Sequence, residues 1–171
     1  SNNYRDINFA RENCIEKTVL IPNGASQDEF LADACIDIQH KLGIPPDCSL
    51  IIHVGSHTGL KGHFEAIKIF RQASIKKASF VIIGNSCEKG CTQKCKELET
   101  MFNSLPERFL DNKKLIVTSL TREETVAAYK QADLFLFPSN IECSPIVLFE
   151  CMASRTPFLA TDTGNSVEIA E

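Results

Sequence analysis

The stretch LFLFPSNIECSPIVLFECMAS, Leu134 to Ser154, contains the unit from which the fold is read. Four apolar residues, Leu134 to Phe137, stop at Pro138, and a polar loop runs on to Ser144-Pro145. Serine is a favoured helix N-cap, and proline in the first turn gives up an N–H that has no intrahelical acceptor anyway. The run IVLFECMA, Ile146 to Ala153, is apolar at almost every position. A helix over Pro145–Ser154 is therefore expected to be hydrophobic on every side and buried. Glu150 is its only charge. An ionised carboxylate in that setting needs a partner, either the hydroxyls of a ligand or a buried Arg or Lys, and few cations stand nearby in the sequence.

The same unit, a short strand followed by a helix, recurs upstream. Leu50–Val54 ends at Gly55 before a helix over Phe64–Ile75; Phe80–Ile83 ends at Gly84 before Lys89–Phe102; Leu115–Val117 precedes Arg122–Ala132. A last strand, Pro157–Ala160, leads to Thr161, Asp162 and Gly164. Five short strands without polar alternation, each but the last followed by a helix, predict an α/β fold with a doubly wound parallel sheet covered on both faces. Before the sheet, a helix is expected over Glu29–Leu42, stopped by Gly43. Residues 4–16 look helical, and Thr18–Ile21 reads as a short strand ending at the turn Pro22-Asn23-Gly24. Residues 1–17 are accordingly expected to be an interdomain linker or the end of a preceding domain, and 18–171 the domain proper.

At 171 residues, 43% hydrophobic, 23% charged and with a net charge of -4, the composition is that of an ordinary soluble globular domain. There is no basic run to meet nucleic acid and no apolar stretch of the roughly 18 residues a membrane span needs. The polar start SNNYRDINFARENC does not resemble a signal peptide, and the chain reads as an excised domain. The eight cysteines are scattered through apolar segments and loops, so reduced thiols in the cytoplasm, or at the cytoplasmic face of a membrane, are expected.

In doubly wound sheets ligands bind beyond the carboxyl ends of the strands. That places Gly55–Gly62, Gly84–Ser86, Ser119–Thr121, Pro138–Ser144 and Thr161–Asn165 at a site. The free N–H groups of Ile146 and Val147 at a helix start suit an anion, above all a phosphate. Glu150 lies about one and a half turns into the helix, so it and the loop residue Glu142 should touch different parts of one ligand. The loop HVGSHTGLKGH, His53 to His63, offers Gly55, Gly59 and Gly62 with Lys61 among them, and a lysine on such a turn could meet a diphosphate. It matches neither the P-loop nor the G-x-G-x-x-G pattern. Cys87, Cys91 and Cys95 repeat every fourth residue and could hold a metal with a fourth ligand such as His57, although zinc sites usually show closer pairs; no metal site is assigned.

Collected in one order, the segments IPNG (21–24), VGSHTGLKGH (54–63), FVIIG (80–84), LTREETVAAYKQADLFLFPS (120–139) and PSNIECSPIVLFECMASRTPFLATDTGN (138–165) resemble the C-terminal donor-binding domain of the glycosyl transferases group 1 family (glycosyltransferase family 4). The E-x7-E signature is met by Glu142 and Glu150. The resemblance implies a Rossmann-like domain forming the C-terminal half of a two-domain GT-B enzyme. It implies transfer of a sugar from a nucleotide-diphosphate donor (UDP, GDP or ADP type) to an acceptor hydroxyl with retention. No metal and no obligatory cofactor belong to that scheme. In this likeness Lys61 neutralises the diphosphate, Glu142 lies beside the donor sugar, and Glu150 binds the ribose hydroxyls. Gly55, Ser56 and Gly84 line the donor site, and the amides of Cys143, Ser144, Ile146 and Val147 meet the diphosphate or sugar. Two departures stand out: Ser56 replaces an arginine common in relatives, and Cys143-Ser144-Pro145 replaces a glycine-rich turn. The acceptor, a saccharide, lipid-linked or other hydroxyl compound, and any membrane association would come through the other domain, so the isolated domain is expected to bind nucleotide but scarcely to transfer sugar. An epimerase or phosphorylase on the same fold, or a non-catalytic nucleotide-binding module, are the alternative expectations.

Overall fold

The computed structural model describes residues 8–9, 11–13, 19, 21–32, 35–85, 90–106 and 111–170. Among them five strands form one all-parallel sheet in the order β3-β2-β1-β4-β5: β1 (Ser49–Val54), β2 (Ala78–Ile83), β3 (Lys113–Thr118), β4 (Leu134–Phe137) and β5 (Phe158–Ala160). The helices are α1 (Gln27–Leu31), α2 (Ile38–Lys41), α3 (His63–Gln72), α4 (Cys91–Ser104), α5 (Arg122–Gln131), α6 (Ile146–Ser154) and α7 (Ser166–Ala170).

The pleat sorts strand residues onto two cores. Leu50, Ile52, Val81, Ile83, Phe135 and Phe137 face one side, where they pack with Phe30, Ile38, Tyr129, Leu148 and Ile169. Ile51, Phe80, Ile82, Leu115 and Val117 face the other, against Ala66, Ile67 and Phe70 of α3 and Cys91, Cys95 and Phe102 of α4. This two-sided burial is what short apolar strands without alternation require. The doubly wound α/β fold expected from the sequence is the fold observed.

Several expectations need correction. Glu29–Leu42 is not one helix: α1 ends at Ala32, whose ψ is 137°, and α2 starts afresh with the Asp37 side chain accepting from the His40 N–H at 2.8 Å. The break is held from α5, where the Gln131 side chain accepts from Ile38 N (2.9 Å) and donates to Ile36 O (2.6 Å). Tertiary hydrogen bonds to two backbone groups outweigh the helical spacing. Of the predicted strand Thr18–Ile21, the described Val19 and Ile21 are exposed coil, and Thr18 and Leu20 lie outside the described residues. Of the helix expected over 4–16, residues 8–9 and 11–12 are helical. The α6 helix is not buried all round: Leu148, Glu150 and Cys151 are buried, while Ile146 is 50% and Met152 52% exposed. Its N-cap is Pro145 rather than Ser144, without a side-chain cap.

β1 and β4 are adjacent, and their connections leave to opposite faces of the sheet, α3 on one and α6 on the other. This is the topological switch point, where a crevice opens beyond the strand ends. The two loops meet tightly there. Gly62 has φ +71°, and a Cβ on it would fall 1.9 Å from Pro138 O. Gly59, in the same loop and also at φ +71°, has nothing within 4 Å of its Cβ position. Gly59→Ala should therefore cost about 1 kcal/mol for its left-handed backbone alone, whereas Gly62→Ala should cost roughly 3 kcal/mol or more because backbone must also move. Urea denaturation of the two variants checks the difference; equal losses would show that the loop junction is slack.

Candidate functional site

The loop after β1 carries Lys61 and the loop after β4 carries Glu142. Lys61 Nζ donates to both carboxylate oxygens of Glu142, at 2.8 and 2.9 Å. Ser139 Oγ donates to Oε1 of the same carboxylate at 2.7 Å. The Glu142 side chain is only 6% exposed, so its charge is compensated by this cation and hydroxyl rather than by water. The loop is pinned on both flanks: Asn140 N donates to Leu60 O (3.0 Å), Thr161 Oγ1 to Ser139 O (2.6 Å), and Asn165 N to Cys143 O (3.1 Å). Gly164, at φ +61°, lies so close that a Cβ would meet Glu142 O at 2.7 Å. Asn23, in the turn Pro22-Asn23-Gly24, donates its side-chain amide to Ser144 O at 3.1 Å.

Gly55, Ser56, Lys61, Glu142, Ser144, Ile146 and Val147 line one cleft of about 300 Å³. A second cleft of about 270 Å³ shares Val54, Gly55, Ser56 and Val147 and extends past Gly84, Asn85 and Thr125. The first N–H groups of α6 lie at this cleft and have no intrahelical acceptor. Most of the residues singled out from sequence are thus brought together at the switch point. Gly84 stands close behind Gly55, since a Cβ on it would fall 2.1 Å from Gly55 O. Cys143 is exposed in the same loop.

Glu150 does not line either cleft. It is 5% exposed and accepts from Arg122 Nη1 at 2.5 Å through Oε1. Arg122, the first residue of α5, also holds Glu29 through Nη2 (2.7 Å) and Nε (3.2 Å). These two carboxylates hold the guanidinium firmly in its charged form, while Arg122 holds the Glu29 carboxyl below its usual range. The expectation of few cations near Glu150 is therefore corrected. Its cation comes from 28 residues upstream and has no signature in the local sequence. The Tyr129 hydroxyl is buried beside Glu150, and burial first, with the Glu150 charge second, pushes its ionisation well above the ordinary range.

The family Glycosyl transferases group 1 matches residues 36–171. The chain belongs to this family. Among curated relatives it is 28% identical over 124 residues to the sulfoquinovosyl transferase SQD2 of Arabidopsis thaliana, covering 72% of this chain and 21% of that protein. It is 30% identical over 129 residues to the putative teichuronic acid biosynthesis glycosyltransferase TuaC of Bacillus subtilis, covering 75% and 28%. The chain thus spans less than a third of the length of either. The structure of Anabaena Alr3699/HepE in complex with UDP and glucose superposes with a TM-score of 0.68 at 19% identity, covering 87% of this chain and 39% of that one. The fold of this glycosyl transferases group 1 chain is thus the Rossmann-like α/β fold of GT-B enzymes.

Of the cysteine trio, Cys87 lies outside the described residues, and Cys95 is fully buried in the α3–α4 core beside Cys91, its thiol pushed up to about 12 by burial and then by Cys91. Cys91 also faces His57, with Sγ 3.8 Å from Nδ1. Three buried histidines under the glycine loop, His53, His57 and His63, were not grouped by sequence; the rings of His53 and His63 meet edge-on at 4.7 Å, and those of His57 and His63 stack at 4.4 Å. Burial is the main cause holding the first and third neutral, His53 down to about 3 and His63 to about 4. Among the described residues no helix is long and apolar enough to cross a membrane.

Arg122→Ala should leave Glu150 buried without its cation and destabilise the chain by about 2 kcal/mol, less than for a fully buried pair because Arg122 is 47% exposed. Adding Glu150→Gln should restore more than half of that loss in denaturant unfolding. A double variant no more stable than Arg122→Ala would show that the pair does not hold the helix.

Proposed function

We propose that this chain is the donor-binding domain of a retaining glycosyltransferase, which moves a sugar from a nucleoside-diphosphate donor to an acceptor hydroxyl. The observation that carries the reading is the Lys61–Glu142 pair set at the N-terminal end of α6 over a cleft at the switch point. An ammonium group has three donors, and Glu142 takes two. The third, with the free N–H groups of Ile146 and Val147, supplies the positive field that a diphosphate needs. The Glu142 carboxylate then lies beside the sugar.

Glu150 enters through its second oxygen. Arg122 occupies Oε1, and the buried Tyr129 hydroxyl also meets the carboxylate. Val147 lies one turn before Glu150 on the same side of the helix and lines both clefts. Oε2 would accept the ribose hydroxyls from behind Val147, with Arg122 fixing the carboxylate. In the transfer the bond between the anomeric carbon and the diphosphate oxygen breaks. A bond from that carbon to the acceptor oxygen forms on the same face, and the acceptor's proton passes to the departing diphosphate. Lys61 and the α6 N-terminus stabilise the charge that develops on the leaving group. The UDP-bearing HepE neighbour supports a nucleotide donor, and UDP is the first one to test. The acceptor would be held by sequence beyond the span of this chain. We place the reaction in the cytoplasm, in keeping with six free cysteines among the described residues.

Two measurements test the reading. By calorimetry, Lys61→Ala should weaken UDP binding roughly 10- to 150-fold, the worth of one charge-assisted hydrogen bond, and leave uridine binding nearly unchanged; equal losses for both would reject the diphosphate role. Exposed Cys35 and Cys143 should react with an alkylating reagent in the native chain, while buried Cys95 and Cys151, both raised by burial, should not. Saturating UDP should then slow labelling of Cys143 and not of Cys35. A Cys143 rate indifferent to UDP would place the nucleotide elsewhere.

A further inference from the structure

We propose that His57, His63 and Cys91 form a binding site for a borderline divalent metal ion, zinc above all, beneath the loop that carries Lys61. His57 belongs to the loop after β1, His63 is the first residue of α3 and Cys91 the first of α4. One donor atom from each lies within 4.8 Å of the others, and the three residues are 1%, 0% and 8% exposed. None of them lines the cleft at Lys61.

The ring nitrogens carry the argument further than proximity. His63 Nε2 contacts Gly55 O at 3.2 Å, and a carbonyl only accepts, so Nε2 bears the proton and Nδ1 is a bare lone pair. That Nδ1 is buried without a partner. A buried polar atom left unsatisfied is costly, and a bare lone pair on a ring stacked against a second imidazole that faces a thiol calls for a ligand that accepts lone pairs. A metal ion does so. The bond from His63 Nε2 to Gly55 O is the outer-shell contact that orients a metal-binding imidazole.

The spacing fits with small rotations. Zinc bonds of about 2.0–2.1 Å to nitrogen and about 2.3 Å to sulfur, set tetrahedrally, put donors roughly 3.3–3.7 Å apart. Cys91 Sγ and His57 Nδ1 already stand at 3.8 Å. Two imidazoles and a thiolate favour zinc, or cobalt as its spectroscopic substitute, over magnesium or calcium, which take oxygen. On binding, the Cys91 S–H proton leaves to solvent and an Sγ–metal bond forms. Because His57 and His63 flank Lys61, an ion held there ties the glycine loop to the start of α4.

The test uses the 171-residue chain, stripped of metal by a chelator under reducing conditions and titrated with Co2+ alone. A single equivalent should produce a thiolate-to-cobalt charge-transfer band in the near ultraviolet with strong tetrahedral ligand-field bands in the visible, and Zn2+ should bleach both. Cys91→Ser should abolish the charge-transfer band. His57→Gln should weaken Co2+ binding by more than the roughly 10- to 100-fold that loss of an outer-shell contact costs. Cys35→Ser, at an exposed thiol, should change neither. If circular dichroism shows Cys91→Ser unfolded, the His57→Gln titration decides alone. No band at one equivalent, a band that survives either ligand substitution in a folded chain, or a band lost in Cys35→Ser overturns the assignment.

Discussion

Lys61 and Glu142 stand 81 residues apart in sequence and meet at 2.8 Å. Neither local propensity nor the pattern of either loop brings them together. They meet because β1 and β4 are sheet neighbours whose connections diverge, and because Gly62 lets one loop press onto the Pro138 carbonyl of the other. A side chain at that glycine would part the loops and so part the ion pair. The cleft, the pair and the exposed N–H groups of α6 all depend on this one close approach. The cost of burying a carboxylate is offset there by a lysine and a serine hydroxyl held in fixed positions, which also means that the site is largely preorganised before any ligand arrives.

The two glutamates of the signature live in different surroundings, and the difference follows from their places on the chain. Glu142 lies in the loop before α6, where a half-exposed lysine can reach it. Glu150 lies in the helix, behind the cleft wall, where the reachable cation is the first residue of the neighbouring helix α5. Arg122 in turn bridges to Glu29 on α1, so α1, α5 and α6 are joined by one guanidinium. Its five donors in a planar fork suit that task better than a lysine would. Glu150 therefore serves the packing of three helices with one oxygen, and the proposed ribose contact would use the other.

The sheet was legible from sequence because every strand is a short apolar run closed by glycine, proline or a polar turn, and because such runs have one stable arrangement when helices alternate with them. The loop residues of the cleft were legible for the same reason: strand ends in this topology point to one crevice. What was not legible is long-range. The split of Glu29–Leu42 into α1 and α2 is imposed by Gln131 from α5, and helical spacing on both sides of the break hides it. Arg122 gives no sign of its partner beyond sitting at a helix start, where Thr121 and Glu124 form a capping box. The apolar composition of α6 pointed to full burial, yet one side of it, at Ile146 and Met152, is open. Periodicity reports which face is apolar, and a helix apolar all round carries no information about which face is covered.

The loop Ser56–Gly62 shows why a second anchor matters. It contains two left-handed glycines with φ +71° at Gly59 and Gly62, and of its larger side chains Leu60 is 48% exposed, so little apolar burial holds it. Backbone freedom of this kind is costly to freeze, about 1 to 2 kcal/mol for each residue fixed. One face of the loop is held through Lys61 by Glu142 and through Leu60 O by Asn140. The other face rests on His57 and His63, whose rings stack, with the Cys91 thiol at His57 Nδ1. Imidazoles are a poor choice for simple packing, since an aliphatic side chain would fill the same space without leaving a bare lone pair in the core. Their presence on the underside of the loop is better accounted for by a requirement for directed bonds there, matching the directed bonds on the side that faces the cleft.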